Sequence, residues 1–274
     1  MDEKIETLKK YINEADAIVI GAGAGLSVAA GFEYGGATFL KNFKYMHDKY
    51  GYTDMYSAGF HCFESLEEKW AYWAKMIYLN RYACGAKDLY KKLYEIAKDK
   101  NYFVITTNVD HQFQLSGFDK NRLFYTQGDY GLFQCSNACH NKTYDNKEMI
   151  EEMIKNTKNN LIPTNLIPRC PICGSPLETN LRCDNSFVED EGWHKSLKRY
   201  QDFINENKDK KILFLELGVG YNTPGIIKYP FLKLTYQFKN AFYITINNER
   251  EYIPPELKNK SLVISADLNI IKEL

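Results

Sequence analysis

The chain of 274 residues lacks an excess of either charge, its 35 lysines and arginines balancing 35 aspartates and glutamates. A balanced chain has no global field to draw it to nucleic acid or an anionic membrane, so neither is expected as a partner and any anion site must be local. Long apolar runs are also missing. No stretch approaches the roughly 18 apolar residues that span a bilayer, and the start, Met1-Asp2-Glu3-Lys4, carries no apolar signal core. A cytoplasmic protein is therefore expected. There is no internal repeat and no low-complexity tract. What is present, 45% hydrophobic residues over this length, suffices for one good-sized core and a smaller satellite module. In a reducing compartment clustered cysteines point to metal before disulfide, and scattered ones to ordinary burial.

Ile5, Leu8, Tyr11 and Ile12 recur at helical spacing, followed by the apolar run Ala17-Ile18-Val19-Ile20, which Gly21 is expected to stop. From Phe39 to Tyr82 aromatics crowd the chain, Trp70, Tyr72, Trp73 and Tyr78 among them, without a strand pattern; this predicts a helical lobe over about 33–85. Leu89, Leu93, Ile96 and Ala97 mark a further helix, and Tyr102-Phe103-Val104-Ile105 a buried strand. Ile212–Leu215, Ala241–Ile244 and Leu262–Ile264 are later strands. Apolar strands alternating with helices predict an α/β fold: a Rossmann-like parallel sheet with helices on both faces. Cysteines, prolines and a charged segment interrupt the pattern, so residues 131–182 read as an inserted zinc-binding module within a dinucleotide-binding domain of residues 1–130 and 183–274.

Gly21-Ala22-Gly23-Ala24-Gly25-Leu26-Ser27 follows a strand and opens a helix, where backbone N–H groups can approach a pyrophosphate. A tight strand-to-helix connection would read the same way. Leu26 stands where the third glycine of a dehydrogenase fingerprint would fall, and no second strand follows with an acidic ribose ligand, which disfavours hydride transfer. Thr106-Thr107-Asn108-Val109-Asp110 ends another strand, the place where open α/β sheets bind ligands. Asn108 or Asp110 alone would also serve as a helix cap.

Cys135-x-x-x-Cys139 and Cys170-x-x-Cys173 are thiolate pairs suited to one closed, tetrahedral, structural Zn²⁺ site. His140 is a conceivable substitute ligand, although adjacent residues rarely reach one metal together. Cys62, Cys84 and Cys183 remain outside the set.

Gly23-Ala24-Gly25-Leu26-Ser27-Val28-Ala29-Ala30-Gly31 closely resembles the first signature of the sirtuins, Gly-Ala-Gly-Ile-Ser-x-x-Ala-Gly, and Thr106–Asp110 nearly reproduces the second, Thr-Gln-Asn-x-Asp. The resemblance runs from about Ala17 to Leu268 and implies NAD as co-substrate. It implies that Gly23, Ala24, Gly25 and Ser27 hold NAD and that Asn108 orients the nicotinamide ribose and a water. By the same resemblance Asp110 maintains the nicotinamide pocket, Gly218, Val219 and Gly220 replace the family's Gly-Thr-Ser loop, Asn247 meets the adenosine ribose and Asp267 the adenine end.

The departures decide the chemistry. The family's Ile-Pro-Asp-Phe-Arg is Phe32-Glu33-Tyr34-Gly35-Gly36 here, and the basic histidine of its His-Gly pair is Gln127. An amide can orient a ribose hydroxyl but has no pKa near neutrality, and loss of a general base costs about 10²–10⁴-fold. Cleavage of the glycosidic bond needs no such base. His111 is the alternative base. The family's acyl-lysine loop has become the polar Leu181–Asp190. This combination resembles the macrodomain-linked microbial sirtuins, implying protein mono-ADP-ribosyl transfer to a protein acceptor, a lipoyl-carrier protein, with a macrodomain protein as a further partner. The rival expectations are a divergent NAD-dependent lysine deacylase and a catalytically silent NAD-binding module.

Overall fold

The computed structural model describes residues 2–249 and 251–274. In chain order the elements are α1 (Asp2–Glu14), β1 (Ala17–Ala22), α2 (Ala24–Ala29), α3 (Gly36–Tyr50), α4 (Met55–Gly59), α5 (Leu66–Ile77), α6 (Asp88–Ala97), β2 (Tyr102–Thr106), α7 (Gln112–Leu115), β3 (Leu123–Tyr125) and β4 (Gly128–Cys135). They continue with β5 (Tyr144–Asp145), α8 (Lys147–Asn156), β6 (Leu177–Leu181), α9 (Glu191–Asn207), β7 (Ile212–Leu217), α10 (Lys228–Gln237), β8 (Phe242–Asn247) and β9 (Ser261–Ser265). Among the described residues no helix is long and apolar enough to cross a membrane.

The chain divides into two compact units. Met1–Ala30, Ala86–Gly128 and Glu189–Leu274 form the first, and Gly31–Gly85 with Asp129–Val188 the second. The first unit is a six-stranded sheet in the order β3-β2-β1-β7-β8-β9 with every pair parallel. Successive side chains of a strand point to opposite faces, and β1 shows the result. Ile18, Ile20 and Ala22 join one core with α1, α6 and the C-terminal residues Leu268, Ile270 and Ile271. Ala17 and Val19 join the other, with residues of α9 and α10. The expected α/β architecture with helices on both faces is what the chain forms.

One local reading needs correction, and one strand has no signal in the sequence. Gly21 does not stop β1: it pairs with Ile105 and Glu216 inside the sheet. A Cβ there would lie 2.5 Å from Ile227 Cγ2 and 2.6 Å from the Phe231 ring, so the glycine makes room for the side chains covering the sheet. β3 was not anticipated; its three residues are too few for a periodic signal.

The second unit contains α3–α5, the expected helical lobe, together with α8 and a three-stranded sheet in the order β5-β4-β6. Trp70 of α5 packs edge-on against Phe133 of β4, with ring centroids 5.1 Å apart. Asn146, buried ahead of α8, accepts the Tyr82 hydroxyl at 2.5 Å and donates to the Tyr130 carbonyl at 2.9 Å.

Candidate functional site

Register places one line of residues across the carboxyl end of the parallel sheet: Tyr125, Thr106, Ala22, Leu217, Ile246 and Ile264. Every residue the sequence proposed for the dinucleotide, apart from those carried on into α2, follows this line by a few positions: Gln127, Asn108, Asp110, Gly23, Gly218, Val219, Gly220, Asn247 and Asp267. The strand order reverses between β1 and β7, the switch point at which open α/β sheets bind ligands.

At that switch the two turns interlock backbone to backbone. The Gly23 amide donates to the Leu217 carbonyl at 3.0 Å and the Gly25 amide to the Gly218 carbonyl at 2.9 Å. A Cβ on Gly23 would lie 2.7 Å from Gly218 O, and one on Gly25 2.8 Å from Gly218 Cα. Gly218 itself sits at φ +60, and a Cβ there would meet Leu26 N at 2.6 Å. The glycines thus serve close packing of two turns, and the amides of Gly23 and Gly25 are committed within the protein. Ala24, exposed at the start of α2, is the residue of this turn left facing solvent.

Behind the turn lies a directed hydrogen-bond chain. The Asn108 side-chain amide donates to the Gly23 carbonyl at 2.9 Å and to the Tyr90 hydroxyl at 3.1 Å. Tyr90 lies 2.9 Å from the Ser27 hydroxyl, which donates to Asp110 Oδ2. Asp110 Oδ1 accepts the Gln112 amide at 3.1 Å. Burial, then the charge of Asp110, pushes the Tyr90 phenol far above its ordinary value. Sequence reasoning missed Tyr90, because an apolar-helix position occupied by tyrosine gives no signal of its own. His111, at φ 65, is the left-handed residue that begins α7.

Gln127 lies half-buried in the turn between β3 and β4. Its neighbour Thr126 is pinned on three sides: amide and hydroxyl both donate to the Thr106 carbonyl, at 2.9 and 3.1 Å, and its own carbonyl accepts Trp193 Nε1 at 3.1 Å.

On the far side of the switch Asn247 donates to the Val219 carbonyl at 3.2 Å and to Glu251 at 2.7 Å. Lys228, buried, lies 2.5 Å from Glu216 and 2.7 Å from Glu251, while the Tyr221 hydroxyl donates to Glu251 at 3.0 Å. Burial pushes the Glu216 carboxyl up despite Lys228. This ion triad, also unsignalled in sequence, fixes the segment after β7. Gly220 is exposed. The exposed Asp267 begins the C-terminal helical turn by accepting the Asn269 amide at 2.7 Å, and that bond holds its carboxyl below the usual range.

In the second unit the Sγ atoms of Cys135, Cys139, Cys170 and Cys173 all lie within 4.8 Å of one another. Cys135 and Cys173 are 3.5 Å apart, Cys139 and Cys170 3.6 Å. Zn–S bonds of about 2.3 Å set the edge of a sulfur tetrahedron at about 3.8 Å, so the cluster fits Zn²⁺. Hydrogen bonds from Ser175 push the Cys173 thiol down to about 6, whereas burial, then hydrogen bonding among the sulfurs, pushes Cys139 up. Four sulfurs this close cannot all ionise without a cation between them. His140 is not one of the four: its Nδ1 lies 3.0 Å from Cys139 Sγ and its Nε2 2.7 Å from the Tyr144 hydroxyl. Gln134 ties down the loop after β6, accepting the Val188 amide at 2.9 Å and donating to the Ser186 carbonyl at 2.9 Å.

No protein-family model matches the chain. Its fold is that of the Sir2 enzymes: a solved Sir2 complex with a p53 peptide and NAD⁺ aligns over 98% of this chain and 96% of its own, with TM-score 0.57 and 17% identity. The protein ADP-ribosyltransferase of Staphylococcus aureus is 39% identical over 275 residues, 99% of this chain and 87% of its own length. The chain belongs to the family of that protein ADP-ribosyltransferase, built on the Sir2 fold. A probable bifunctional ADP-ribose hydrolase/ADP-ribosyltransferase of Fusarium oxysporum f. sp. cubense is 32% identical over 234 residues, covering 81% of this chain but 38% of its own length.

Proposed function

We infer that this protein is an NAD-dependent protein mono-ADP-ribosyltransferase: it cleaves NAD at the nicotinamide–ribose bond and passes ADP-ribose to a protein acceptor. The observation that carries the reading is near-full-length kinship with a protein ADP-ribosyltransferase. Gln127 at the strand end agrees with it. As nicotinamide departs with the bonding pair, the anomeric carbon becomes electron-poor and the acceptor's nucleophile attacks it, releasing its proton. No imidazole base on the ribose is required for that step.

In this reading Asn108 and Gln127 orient the ribose and Asp110 braces the pocket. Gly23, Ala24, Gly25, Gly218, Val219 and Gly220 shape the backbone bed of the pyrophosphate, while Asn247 and Asp267 meet the adenosine end. Ser27, whose hydroxyl is taken up by Asp110 and Tyr90, acts by holding the others. Zn²⁺ in the cysteine cluster is structural, since four thiolates close its shell and leave no position for water.

The lipoyl-carrier acceptor rests on the sequence resemblance. A macrodomain partner that removes ADP-ribose is supported by the Fusarium relative, a probable ADP-ribose hydrolase and ADP-ribosyltransferase in one chain. A cytoplasmic setting agrees with the thiolate cluster, which needs a reducing compartment.

The test is incubation with NAD, assaying nicotinamide release and the mass of candidate acceptor proteins, lipoylated carriers among them. Added ADP-ribose with little removal of acyl groups from acyl-lysine peptides is expected. Efficient deacylation with no ADP-ribose on any acceptor would make the protein a deacylase, and absence of NAD turnover would make it a silent binding module.

A further inference from the structure

We propose that Tyr90 is a positioning residue of the transfer centre, its hydroxyl fixing the Asn108 amide so that Oδ1 is left as the free acceptor at the end of β2. The inference rests on the transferase reading above and adds a residue that neither the signatures nor the kinship assigns.

Counting hydrogens gives the chain one direction. Ser27 has a single hydroxyl hydrogen and donates it to Asp110, so across the 2.9 Å contact Tyr90 must be the donor and Ser27 the acceptor. The phenol hydrogen is then spent, and Tyr90 can only accept from Asn108 at 3.1 Å. The second hydrogen of the same amide nitrogen goes to the Gly23 carbonyl at 2.9 Å. Both donors of Asn108 are thereby consumed and its oxygen is not. Rotating the amide by half a turn would set that oxygen against two groups, the Gly23 carbonyl and the Tyr90 oxygen, whose lone pairs already face it. The amide therefore has one stable orientation, in which it offers an acceptor for a ribose hydroxyl or a water.

Tyr90 is suited to hold this orientation and unsuited to take part in proton transfer. It is fully buried on α6, and its ring packs edge-on against Phe113 with centroids 5.0 Å apart, so the hydroxyl cannot swing aside. Its raised pKa keeps it protonated at every pH at which the enzyme would work. Asp110 lies at the end of the chain and sets its polarity, which gives that residue a task in orienting Asn108 as well as in bracing the pocket.

A double-mutant cycle tests the proposal. Tyr90→Phe, Asn108→Ala and the double variant are compared for nicotinamide release (kcat and KM separately), NAD affinity by calorimetry, and melting temperature. Tyr90→Phe alone should lower kcat/KM by about five- to tenfold, the effect of one lost hydrogen bond, and in the Asn108→Ala background by less than about twofold, because its partner is gone. Equal losses in both backgrounds would show a merely structural tyrosine and overturn the proposal. Should Tyr90→Phe fail to fold, Ser27→Ala leaves the ring in place and breaks the same chain one link on; it should show the same dependence on Asn108, and additivity there would be equally fatal. Wild-type protein that neither binds nor cleaves NAD would overturn the transferase reading and this inference with it. Wild-type turnover with additive losses would overturn this inference alone.

Discussion

Replacing Gly25 by alanine should destabilise the fold itself, because the space beside it is filled by backbone. The new Cβ would lie 2.8 Å from Gly218 Cα and 2.9 Å from Gly218 O, whereas carbon atoms in contact rest about 3.5–4.0 Å apart. The turns after β1 and β7 must separate by roughly 0.7–1.2 Å, and neither atom belongs to a side chain that could rotate away. Overpacking of this kind costs about 1–3 kcal/mol, and an immovable backbone argues for the upper end. At about 2–4 °C of melting temperature per kcal/mol for a chain of this size, the expected drop is about 6–12 °C. The Gly25 amide bond to Gly218 would stretch as well. Gly225→Ala, in the segment between β7 and α10 with nothing within 4 Å of the added Cβ, is the control and should stay within about 0.5 kcal/mol. Gly218→Ala presses on the same contact from the other side, so the pair should cost less than the sum of the singles. Thermal melting followed by NAD calorimetry on the folded fraction is the assay. A Gly25→Ala protein that melts with wild type would refute the reasoning, and would return these glycines to the role of clearing space for pyrophosphate alone.

Zinc should be stoichiometric, one ion per chain, and Cys170→Ser with Cys173→Ser should abolish it by metal analysis; full zinc retention in that variant would discard the four-cysteine assignment. Lys228→Met should cost about 3–5 kcal/mol, since it strands the fully buried Glu216 without its cation. Chemical denaturation measures this, and a loss below about 1 kcal/mol would mean that the triad is not a dry ion pair.

Features encoded by local spacing could be read from the sequence, and features made by distant partners could not. The glycine turn, Thr106–Asp110 and the two cysteine pairs each sit within a few residues, so their chemistry is visible without a fold. What forbids a side chain at Gly23 and Gly25 is invisible from their own segment, since the obstacle is Gly218, a residue on the neighbouring strand's turn. Tyr90 is 63 residues from Ser27, and Lys228 is 23 residues from Glu251 across a helix and a strand. Neither pair has a spacing that announces it, and each residue taken alone reads as ordinary helix filling. β3 escaped for a different reason, since three residues after a charged turn show no alternation until β2 lies beside them.

The composition of the site carries one more consequence. None of the residues proposed for NAD is cationic, and two of them, Asp110 and Asp267, are acidic. Lys228, the cation bonded to the network around Asn247, is already matched by Glu216 and Glu251. Attraction for a pyrophosphate must then come from backbone dipoles and hydrogen bonds, which act over a few ångströms and are hardly screened by salt. A surface lysine on a phosphate would instead contribute about 1 kcal/mol, fivefold in affinity, and lose much of it as the Debye length shrinks from about 10 Å at 0.1 M to about 3 Å at 1 M. Calorimetric titration of NAD across that salt range should therefore move Kd by less than about twofold, with the two aspartates tending to make binding slightly tighter as salt rises. A weakening of about fivefold or more would show that a lysine or arginine outside this set reaches the pyrophosphate, and that the site is not the backbone-lined bed the strand ends describe.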